Sequence, residues 1–425
     1  MRRTVVTGCA AITPAGAGLP ALWEAVTGCR PAGDPITAFD VSRNQSRIAA
    51  TIPDFDPIAA GLDPAVVERM DRATQLAVVS ARAAIVDAGL GTGDLEPGRG
   101  GVLIGSAIGG VGFMEKEFRR LCRPERGARG YVNVAPEIDP ATYPGFLALS
   151  VSSEVARDLG FQGPVTTMAT GCTAGLDAIG AASALIADGM AEVMITGGVD
   201  SPLSPIVLTS FDNIKALTRR NAEPRRASRP FDRDRDGFLL AEGCAVLVLE
   251  EAGRARRRGA RIYGEILSFA SLSNAYHMTG LSADGAALAA TLEAALRRAR
   301  LDPGQVDYIN AHGSSTQQND RNETAAFKRA FGPRAYGIPI SSTKSIVGHS
   351  LGAASAIETV VCLLALRDGV VPPTANYETP CQDCDLDYVP NEAREIPLRV
   401  VECNASGFSG IHSSLLLGHR DFAAS

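Results

Sequence analysis

One stretch of the sequence, PVTTMATGCTAGLDAIGAASALIAD at residues 164–188, predicts three consecutive elements. Residues 164–170 have the composition of a strand, and the small and apolar residues 174–188 are typical of a helix. Gly171 and Cys172 form the turn between them. A strand that leads through a short turn into a helix is the repeating unit of a sheet covered by helices.

The same order of elements returns in the second half of the chain. Residues 337–341 predict a strand, Gly348 and His349 lie in the turn that follows, and residues 352–366 predict a helix. In each half, another helix leads through a glycine-containing link into a strand: 74–89 with 101–105, and 285–300 with 306–310. We therefore predict an internally duplicated α/β fold with a mostly parallel sheet.

The repeat divides the chain into two related halves, which we place at residues 1–255 and 256–425. Residues 115–144 and 215–236 interrupt the alternation of strands and helices and are interpreted as irregular insertions. Insertions of this kind often line functional sites or contact partners.

Composition and charge exclude several classes of protein. The chain has 425 residues, of which 45% are hydrophobic, and this fraction is too high for a disordered protein. The net charge of -6 gives no reason to expect a nucleic-acid partner, and the arginine-rich residues 254–261 are better explained as a solvated helix between two strands. No stretch reaches the ~18 apolar residues of a membrane span. Because polar residues interrupt the apolar N-terminus, we expect a soluble, cytoplasmic protein rather than a secreted one.

Nine cysteines with irregular spacing argue against a disulfide framework. Cys381 and Cys384 form a C-x-x-C motif, but a zinc site requires a second pair of ligands, and none lies nearby in the sequence. Plain loop thiols are the simpler interpretation, and we predict no metal site.

Cys172 and two histidines are the candidate reactive groups. Cys172 precedes a helix, whose positive N-terminal end would lower the pKa of a thiol and whose free N–H groups could bind an oxyanion. His312 follows a strand, and His349 lies in a strand-to-helix turn. Strand ends are where sites assemble in such sheets. A buried small cysteine and hydrogen-bonded loop histidines are the structural alternatives.

Two further features lie close to these groups in the sequence. Lys344 is either an exposed side chain or a buried cation that pairs with Asp320 or Glu323. The sequence SGFSG at 406–410 is either a simple hairpin or a mobile gate with a backbone N–H directed at the site.

Six motifs resemble, in the same order, those of the β-ketoacyl-acyl carrier protein synthases. They span nearly the whole chain: TGCTAGLDAIG at 170–180, PFDRDRDGFLLAEG at 230–243, NAYHMTG at 274–280, HGSSTQQND at 312–320, TKSIVGHSLGA at 343–353 and SGFSG at 406–410. The strings QNDRNETAA, VVPPTAN and CDLDYVP most resemble the ketosynthase α subunits of bacterial type II polyketide synthases.

The resemblance implies a thiolase fold, in which two duplicated halves form a five-layered α-β-α-β-α core. It also implies a Cys-His-His triad at Cys172, His312 and His349, supported by Lys344 with Glu323 as its acidic partner. Cys172 would carry the growing acyl chain as a thioester, and decarboxylation of malonyl-acyl carrier protein would supply the carbanion that attacks it.

In this family, backbone amides stabilise the tetrahedral oxyanion. The resemblance assigns this role to Cys172 and Phe408, within a gate that also includes Gly407 and Ser409. The family usually has glycine in place of Ser409, so a stiffer or differently shaped gate is expected here.

The pantetheine contacts of the family correspond to Ser314 and Thr316. Substrates arrive on the phosphopantetheine arm of acyl carrier protein, so no cofactor is expected. Residues 143–155 depart from the family pattern near the acyl pocket, where Ile108 and Phe146 are candidate pocket-limiting residues.

The resemblance also implies two partners. Arg69, Arg72 and Lys215 are candidate docking residues for the acidic acyl carrier protein. The second partner is a chain length factor, a related subunit without the nucleophile. The alternatives are a homodimeric 3-oxoacyl-acyl carrier protein synthase of fatty acid elongation, a thiolase, and a non-catalytic structural subunit.

Overall fold

The computed structural model describes residues 2–91, 93–121 and 138–422. An 11-stranded sheet runs through these residues. The predicted insertion at 115–144 includes residues 122–137, which lie outside the described residues, as does Cys122. The insertion predicted at 215–236 is irregular, because its only helical turn among the described residues is Pro224–Arg226.

The N-terminal half of the sheet contains five main strands. They are β1 (Thr4–Thr13), β2 (Gly100–Gly105), β3 (Val165–Met168), β4 (Val193–Asp200) and β5 (Gly243–Glu251). Their spatial order is β1-β5-β4-β2-β3. Strand β2 runs parallel to β3 and β4, whereas β5 runs antiparallel to β1 and β4.

The C-terminal half repeats this arrangement. Its strands are β6 (Gly264–Ser273), β7 (Tyr308–Asn310), β8 (Ile340–Ser341), β9 (Val400–Ser406) and β10 (Ile411–His419). Their order is β6-β10-β9-β7-β8, with the same pattern of directions, and β6 pairs with β1 to join the halves. The duplication predicted from the sequence is therefore confirmed.

The expectation of a mostly parallel sheet is wrong, because two of the four pairings within each half are antiparallel. Parallel neighbours require a crossover, usually through a helix. The connection before β5 contains the helix Pro205–Asn213 and a long irregular segment, yet β5 runs antiparallel to β4, and β9 turns directly into β10 through residues 407–410.

Ten helices of more than one turn accompany the strands in the described residues. They are α1 (Leu19–Thr27), α2 (Arg72–Asp87), α3 (Val111–Leu121), α4 (Leu149–Leu159), α5 (Ala174–Ala187), α6 (Pro205–Asn213), α7 (Ala252–Arg257), α8 (Ala286–Ala299), α9 (Gln317–Phe331) and α10 (Gly352–Asp368). Shorter helical segments are Pro64–Val67, Thr142–Phe146 and Lys344–Val347. Helix α7 contains the first half of the arginine-rich segment and connects β5 to β6, as predicted.

The helices form three layers around the two halves of the sheet. Helices α2 and α4 cover the outer face of the N-terminal half, and α8 and α9 lie on the outer side of the C-terminal half. Helices α5 and α10 pack against each other and contact strands of both halves. This is the predicted α-β-α-β-α arrangement.

Close packing of the two central helices depends on small residues. A Cβ atom placed on Gly175 would lie 2.7 Å from the carbonyl oxygen of Gly352 and 2.9 Å from the Cβ atom of Ala356. A side chain at Gly175 would therefore force α5 away from α10, and with it the turn that carries Cys172. Within the described residues, no helix combines the length and apolar character needed to cross a bilayer.

Candidate active site

A narrow pocket with a volume of about 50 Å³ lies where the two halves meet. Residues from both halves line it, and most come from strand ends or turns: Cys172, Phe211, Phe238, Thr279, Leu281, His312, Ser314, Thr316, Gln318, Asn319, His349, Leu351, Ser406, Gly407 and Phe408. The cysteine and the two histidines that lie far apart in the sequence thus face one cavity.

The turn before α5 places Cys172 in the pocket. Gly171 has a φ of +66°, a left-handed conformation that glycine adopts easily, and the backbone then enters a 3-10 turn at Gly171–Thr173. Cys172 is half-buried. The expected decrease of its pKa is wrong: burial raises the pKa of Cys172 to about 11, although the charge of Lys344 opposes this. The resting thiol is therefore neutral near pH 7.

Backbone N–H groups surround the Cys172 sulfur. The N–H groups of Phe408 and of Cys172 itself hydrogen-bond the sulfur and favour its ionised form, which lowers the pKa without overcoming burial. A Cβ atom on Gly407 would lie 3.5 Å from the Cys172 nitrogen, an ordinary van der Waals distance, so the gate backbone lies directly beside these amides. Two N–H groups at one reacting atom are the arrangement that stabilises an oxyanion.

Ser409 occupies a strained position in the gate. Its φ of +70° lies in the left-handed region that favours glycine, so the serine carries backbone strain. The Ser409 N–H donates to the carbonyl oxygen of Met278, and Gly410 accepts from the N–H of Asn274 at 2.8 Å. The NAYHMTG segment therefore holds the gate from one side.

The two histidines contact each other edge to face, with ring centroids 5.2 Å apart. The Nδ1 atom of His349 accepts the N–H of Leu351 at 3.2 Å, so the proton of a neutral His349 lies on Nε2. Burial and the charge of Lys344 lower the pKa of both His312 and His349 well below the usual value. Both rings are therefore neutral near pH 7.

Lys344 is buried, but its predicted partner is wrong. Its ammonium group pairs with Glu358 on α10, not with Glu323 or Asp320. Asp320 instead pairs with Arg235 at 3.2 Å. Burial raises the pKa of Glu358 to about 7, against the opposing effect of Lys344. Glu358 is the only charged residue of the mostly apolar stretch 352–366, and this was the available sequence signal for a buried pair.

Glu323 positions the loop that carries His312. Its two carboxylate oxygens accept the N–H groups of His312 at 2.8 Å and Gly313 at 2.6 Å, and the side-chain amides of Asn319 and Asn404 complete the set. Burial raises the pKa of Glu323 to about 7. Its contact is therefore with the backbone of the His312 loop, not with the lysine.

Asp200 has a similar position in the N-terminal half and was not identified from the sequence. It lies at the end of β4, where its carboxylate accepts the N–H groups of Ala107, Ile108 and Gly352 and the hydroxyl of Ser106, over 2.7–3.2 Å. Burial raises the pKa of Asp200 to about 6. An acidic residue at the end of an apolar strand was the only sequence signal.

Two hydroxyls line the pocket on the side of α9. Ser314 and Thr316 hydrogen-bond each other at 2.9 Å, and Thr316 also caps α9 by accepting the N–H of Asn319 at 3.3 Å. The first turn of α9 therefore holds this pair of hydroxyls in place. Both residues lie where the sequence resemblance expects pantetheine contacts.

The two candidate pocket-limiting residues do not line this pocket. Ile108 packs against a neighbouring apolar cluster that includes Phe238 and Leu351, which do line it. Phe146 is 37% exposed and contacts Tyr143 edge to face, with the ring centroids 6.2 Å apart. Their role in limiting an acyl pocket therefore stays a prediction.

The three candidate docking residues differ in their availability. Arg69 and Lys215 are exposed. Arg72 is bound to Glu242 through hydrogen bonds of 2.9 and 3.2 Å, and its guanidinium lies over the ring of Phe55. This ion pair reduces the capacity of Arg72 to bind an external carboxylate.

Two family models match the sequence. The N-terminal domain of β-ketoacyl synthase matches residues 1–255, and the C-terminal domain matches residues 263–378. The chain belongs to the β-ketoacyl synthase family. This β-ketoacyl synthase is therefore a condensing enzyme of the acyltransferase class.

Curated relatives of this β-ketoacyl synthase are similar over their full length. The tetracenomycin polyketide synthase ketoacyl synthase alpha subunit of Streptomyces glaucescens is 50% identical, over 98% of this chain and 97% of the relative. The granaticin polyketide putative β-ketoacyl synthase 1 of Streptomyces violaceoruber is 49% identical, over the whole of both chains. The 3-oxoacyl-acyl carrier protein synthase 2 of Coxiella burnetii is 42% identical, over 98% of both.

Two solved structures share the fold. One contains a type II polyketide synthase acyl carrier protein in complex with its hexaketide-bound ketosynthase, with a TM-score of 0.91 and 38% identity over 99% of this chain and 100% of that one. The other is the ishigamide ketosynthase/chain length factor, with a TM-score of 0.88 and 33% identity over 98% and 99%. The thiolase-type fold is thus confirmed.

Proposed function

We propose that this β-ketoacyl synthase catalyses the decarboxylative Claisen condensation of malonyl-acyl carrier protein with an acyl chain bound to Cys172, in type II polyketide biosynthesis. The observation that supports this most directly is the convergence of Cys172, His312 and His349 on one pocket with the amide of Phe408. The names and identities of the polyketide synthase relatives support the biosynthetic class.

In the first step, the Cys172 sulfur attacks the carbonyl of the thioester that joins the acyl chain to acyl carrier protein. The thiol is neutral at rest, so it loses its proton during attack, and the pantetheine thiol leaves with a proton. The neutral imidazole of His312 is the proton acceptor, because the unprotonated nitrogen of His349 already accepts the N–H of Leu351. The charge of Lys344 favours the thiolate once it forms.

In the second step, malonyl-acyl carrier protein loses carbon dioxide and leaves an enolate. The Nε2–H of His349 donates a hydrogen bond to the enolate oxygen, because Leu351 occupies Nδ1 and fixes the tautomer. His312 is the second donor, held by the contact of its backbone with Glu323. Neutral donors suit an oxygen on which negative charge develops only in the transition state.

In the third step, the enolate carbon attacks the Cys172 thioester, and the thiolate of Cys172 leaves. The N–H groups of Cys172 and Phe408 stabilise the tetrahedral oxyanion. Ser314 and Thr316 hold the pantetheine arm and orient the reacting carbon. The electrons of the new carbon–carbon bond come from decarboxylation, so the reaction requires no metal or redox cofactor.

The proposed partners are acyl carrier protein and a chain length factor subunit. Structural neighbours that contain each kind of partner support this proposal. Exposed Arg69 and Lys215 are the proposed docking cations, with Arg72 secondary because of its pair with Glu242. We place the enzyme in the cytoplasm, where these partners would meet it.

The similarity to 3-oxoacyl-acyl carrier protein synthase 2 favours a second candidate, a homodimeric enzyme of fatty acid elongation. Co-expression with a related subunit that lacks the cysteine separates the two. A stable heterodimer that extends polyketide chains supports the polyketide assignment. A homodimer that extends saturated acyl chains without the second subunit contradicts it.

The test of the catalytic assignment is the intact mass of the protein after incubation with acyl-acyl carrier protein. We expect one acyl group on the wild-type chain and none on Cys172→Ala. Cys29→Ala, which removes another half-buried thiol outside the pocket, is the matched control and should still be acylated. An adduct that persists in Cys172→Ala would overturn the nucleophile assignment. A wild-type chain that accepts no acyl group would indicate a structural subunit.

A further inference from the structure

The C-x-x-C pair Cys381 and Cys384 lies outside the condensation site. The two residues form a tight turn, in which the N–H of Cys384 donates to the carbonyl oxygen of Cys381 at 3.0 Å, and they form an isolated antiparallel β-bridge with each other. Such a turn brings its first and fourth Cα atoms within about 7 Å. Disulfides form at Cα separations of roughly 4.4–6.8 Å, a range that overlaps this limit.

The two thiols differ in their access to solvent. Cys381 retains 8% exposure and lies next to Gln382 and Asp383, which are exposed at the tip of the turn. Cys384 has no exposure and packs in the apolar core of the C-terminal half. A small molecule from solvent therefore reaches Cys381 first.

A buried guanidinium distinguishes Cys381 further. The side chain of Arg235 has no solvent exposure, hydrogen-bonds the Cys381 sulfur and pairs with Asp320 at 3.2 Å. Burial opposes the thiolate, but the hydrogen bonds from Arg235 and from the Asp383 backbone outweigh it and lower the pKa of Cys381. Burial raises the pKa of Cys384 to about 12.

The other thiols of the described residues lack this activation. Burial raises the pKa of six cysteines, including the nucleophile of the condensation: Cys9, Cys29, Cys172, Cys244, Cys362 and Cys403. A thiolate at an electropositive position beside a second thiol is the arrangement found in thiol–disulfide exchange sites.

We propose that Cys381 and Cys384 form a thiol–disulfide exchange site, in which Cys381 attacks a low-molecular-weight disulfide and Cys384 resolves the product. The Cys381 thiolate bonds to one sulfur of the small disulfide, whose other sulfur leaves as a thiolate. Cys384 then loses its proton and attacks the Cys381 sulfur, which releases the second small thiolate. The protein loses two electrons and two protons overall, and the small disulfide gains them.

The experiment equilibrates the full-length enzyme with oxidised and reduced glutathione at a series of ratios, blocks free thiols by alkylation and maps the peptides. We expect a disulfide between Cys381 and Cys384 as the glutathione pool becomes oxidised. Cys384→Ser should accumulate glutathione on Cys381, whereas Cys381→Ser should leave Cys384 free. Cys29→Ser is the control and should form the wild-type disulfide.

A wild-type chain in which both thiols remain alkylatable at every ratio would overturn the proposal, as would glutathione on Cys384 in Cys381→Ser. A measurement on the wild-type chain alone remains decisive if a variant fails to fold. Under reducing conditions at pH 7, iodoacetamide should label Cys381 at least tenfold faster than Cys384. Equal or reversed rates would contradict the assignment of the attacking thiol.

Discussion

The turn after β3 and the turn after β8 occupy equivalent places in the two halves but carry different chemistry. The first passes directly into α5 and presents the thiol of Cys172. The second contains the additional short helix Lys344–Val347 before α10, so the same place presents the imidazole of His349 with a buried ammonium group behind it. The comparison shows that one backbone arrangement can hold a nucleophile or a hydrogen-bond donor, depending on the residues inserted in the turn.

The loops that follow β2 and β7 are alike in the two halves, because a buried carboxylate holds each of them. Asp200 and Glu323 each accept four hydrogen bonds and hold the loop after the second strand of their half. They come from different elements, since Asp200 ends β4 and Glu323 lies on α9. A buried carboxylate is therefore a shared structural requirement, whereas the reactive groups are specific to each half.

The largest expected effect is on decarboxylation, which depends on the histidine of the second turn and not on the thiol of the first. His349→Ala should decrease carbon dioxide release from malonyl-acyl carrier protein by about 10²- to 10³-fold, because it removes one hydrogen-bond donor from the enolate. Cys172 should still become acylated, although slowly. His419→Ala, which removes a histidine at the end of β10, is the control and should behave as wild type. Unchanged carbon dioxide release in His349→Ala would contradict its role.

The ion pair in the second turn should have a large effect on stability. Lys344→Met leaves Glu358 buried without its partner, and we expect the free energy of unfolding in urea to fall by about 3–5 kcal/mol. The double variant Lys344→Met/Glu358→Leu should recover most of this loss, since it removes both buried charges. Equal stability of Lys344→Met and wild type would show that the pair is not required for folding.

The buried side chain of His412 predicts that the free energy of unfolding depends on pH. Burial lowers the pKa of His412 from 6.5 to about 4, while its Nδ1 atom and the Ser406 hydroxyl hydrogen-bond at 2.9 Å. Between these pH values the unfolded chain binds a proton at this site and the folded chain does not. Stability is therefore complete above pH 6.5 and is lost as the pH falls to 4, by on the order of 3 kcal/mol at most.

His412→Gln is the variant that tests this dependence. Glutamine keeps a partner for Ser406 but does not titrate, so the wild type should lose more unfolding free energy than the variant between pH 6.5 and 4. Urea titrations at several pH values measure the difference. Parallel curves for the two proteins would contradict a buried neutral histidine at this position.

The smallest effects compare the two carboxylates. Asp200→Asn and Glu323→Gln should each cost about 1–3 kcal/mol of stability, because an amide cannot accept all four hydrogen bonds. Their other effects should differ. The charge of Asp200 raises the pKa of Cys172, so Asp200→Asn should shift the alkylation profile of Cys172 to lower pH. Glu323→Gln should instead slow decarboxylation, because it disturbs the loop that carries His312. If both variants gave the same alkylation profile and the same rate of decarboxylation, the two carboxylates would not have different roles.

The sequence predicted the fold well because both halves repeat the same local units. Strands and helices were expected within a few residues of their observed bounds, as with the helix predicted at 174–188 and observed at Ala174–Ala187. The relative direction of neighbouring strands was predicted wrongly. Two neighbouring strands are parallel only when a crossover connection, usually a helix, carries the chain back across the sheet between them. The irregular segment before β5 carries no periodic pattern that indicates this.

Within the site, residues at turns were predictable and side-chain partners were not. Cys172, His312 and His349 lie next to glycines at strand ends, and the structure brings them to one pocket. The partner of Lys344 was misassigned because the resemblance pointed to Glu323, whereas Glu358 reaches the lysine from α10. Phe211 in the pocket wall has no distinguishing local sequence signal, and Phe238 lies in a family motif but was not assigned to the site.

The sequence by itself determined which reactive groups the chain has and at which turns they lie, because local backbone preferences and glycine positions depend on neighbouring residues. Only the tertiary structure decided their protonation and partners. The thiol of Cys172 is neutral, the imidazoles are neutral, and Cys381 rather than Cys172 has the lowered pKa. These properties follow from desolvation and from charges such as Lys344 and Arg235, which approach from distant parts of the chain.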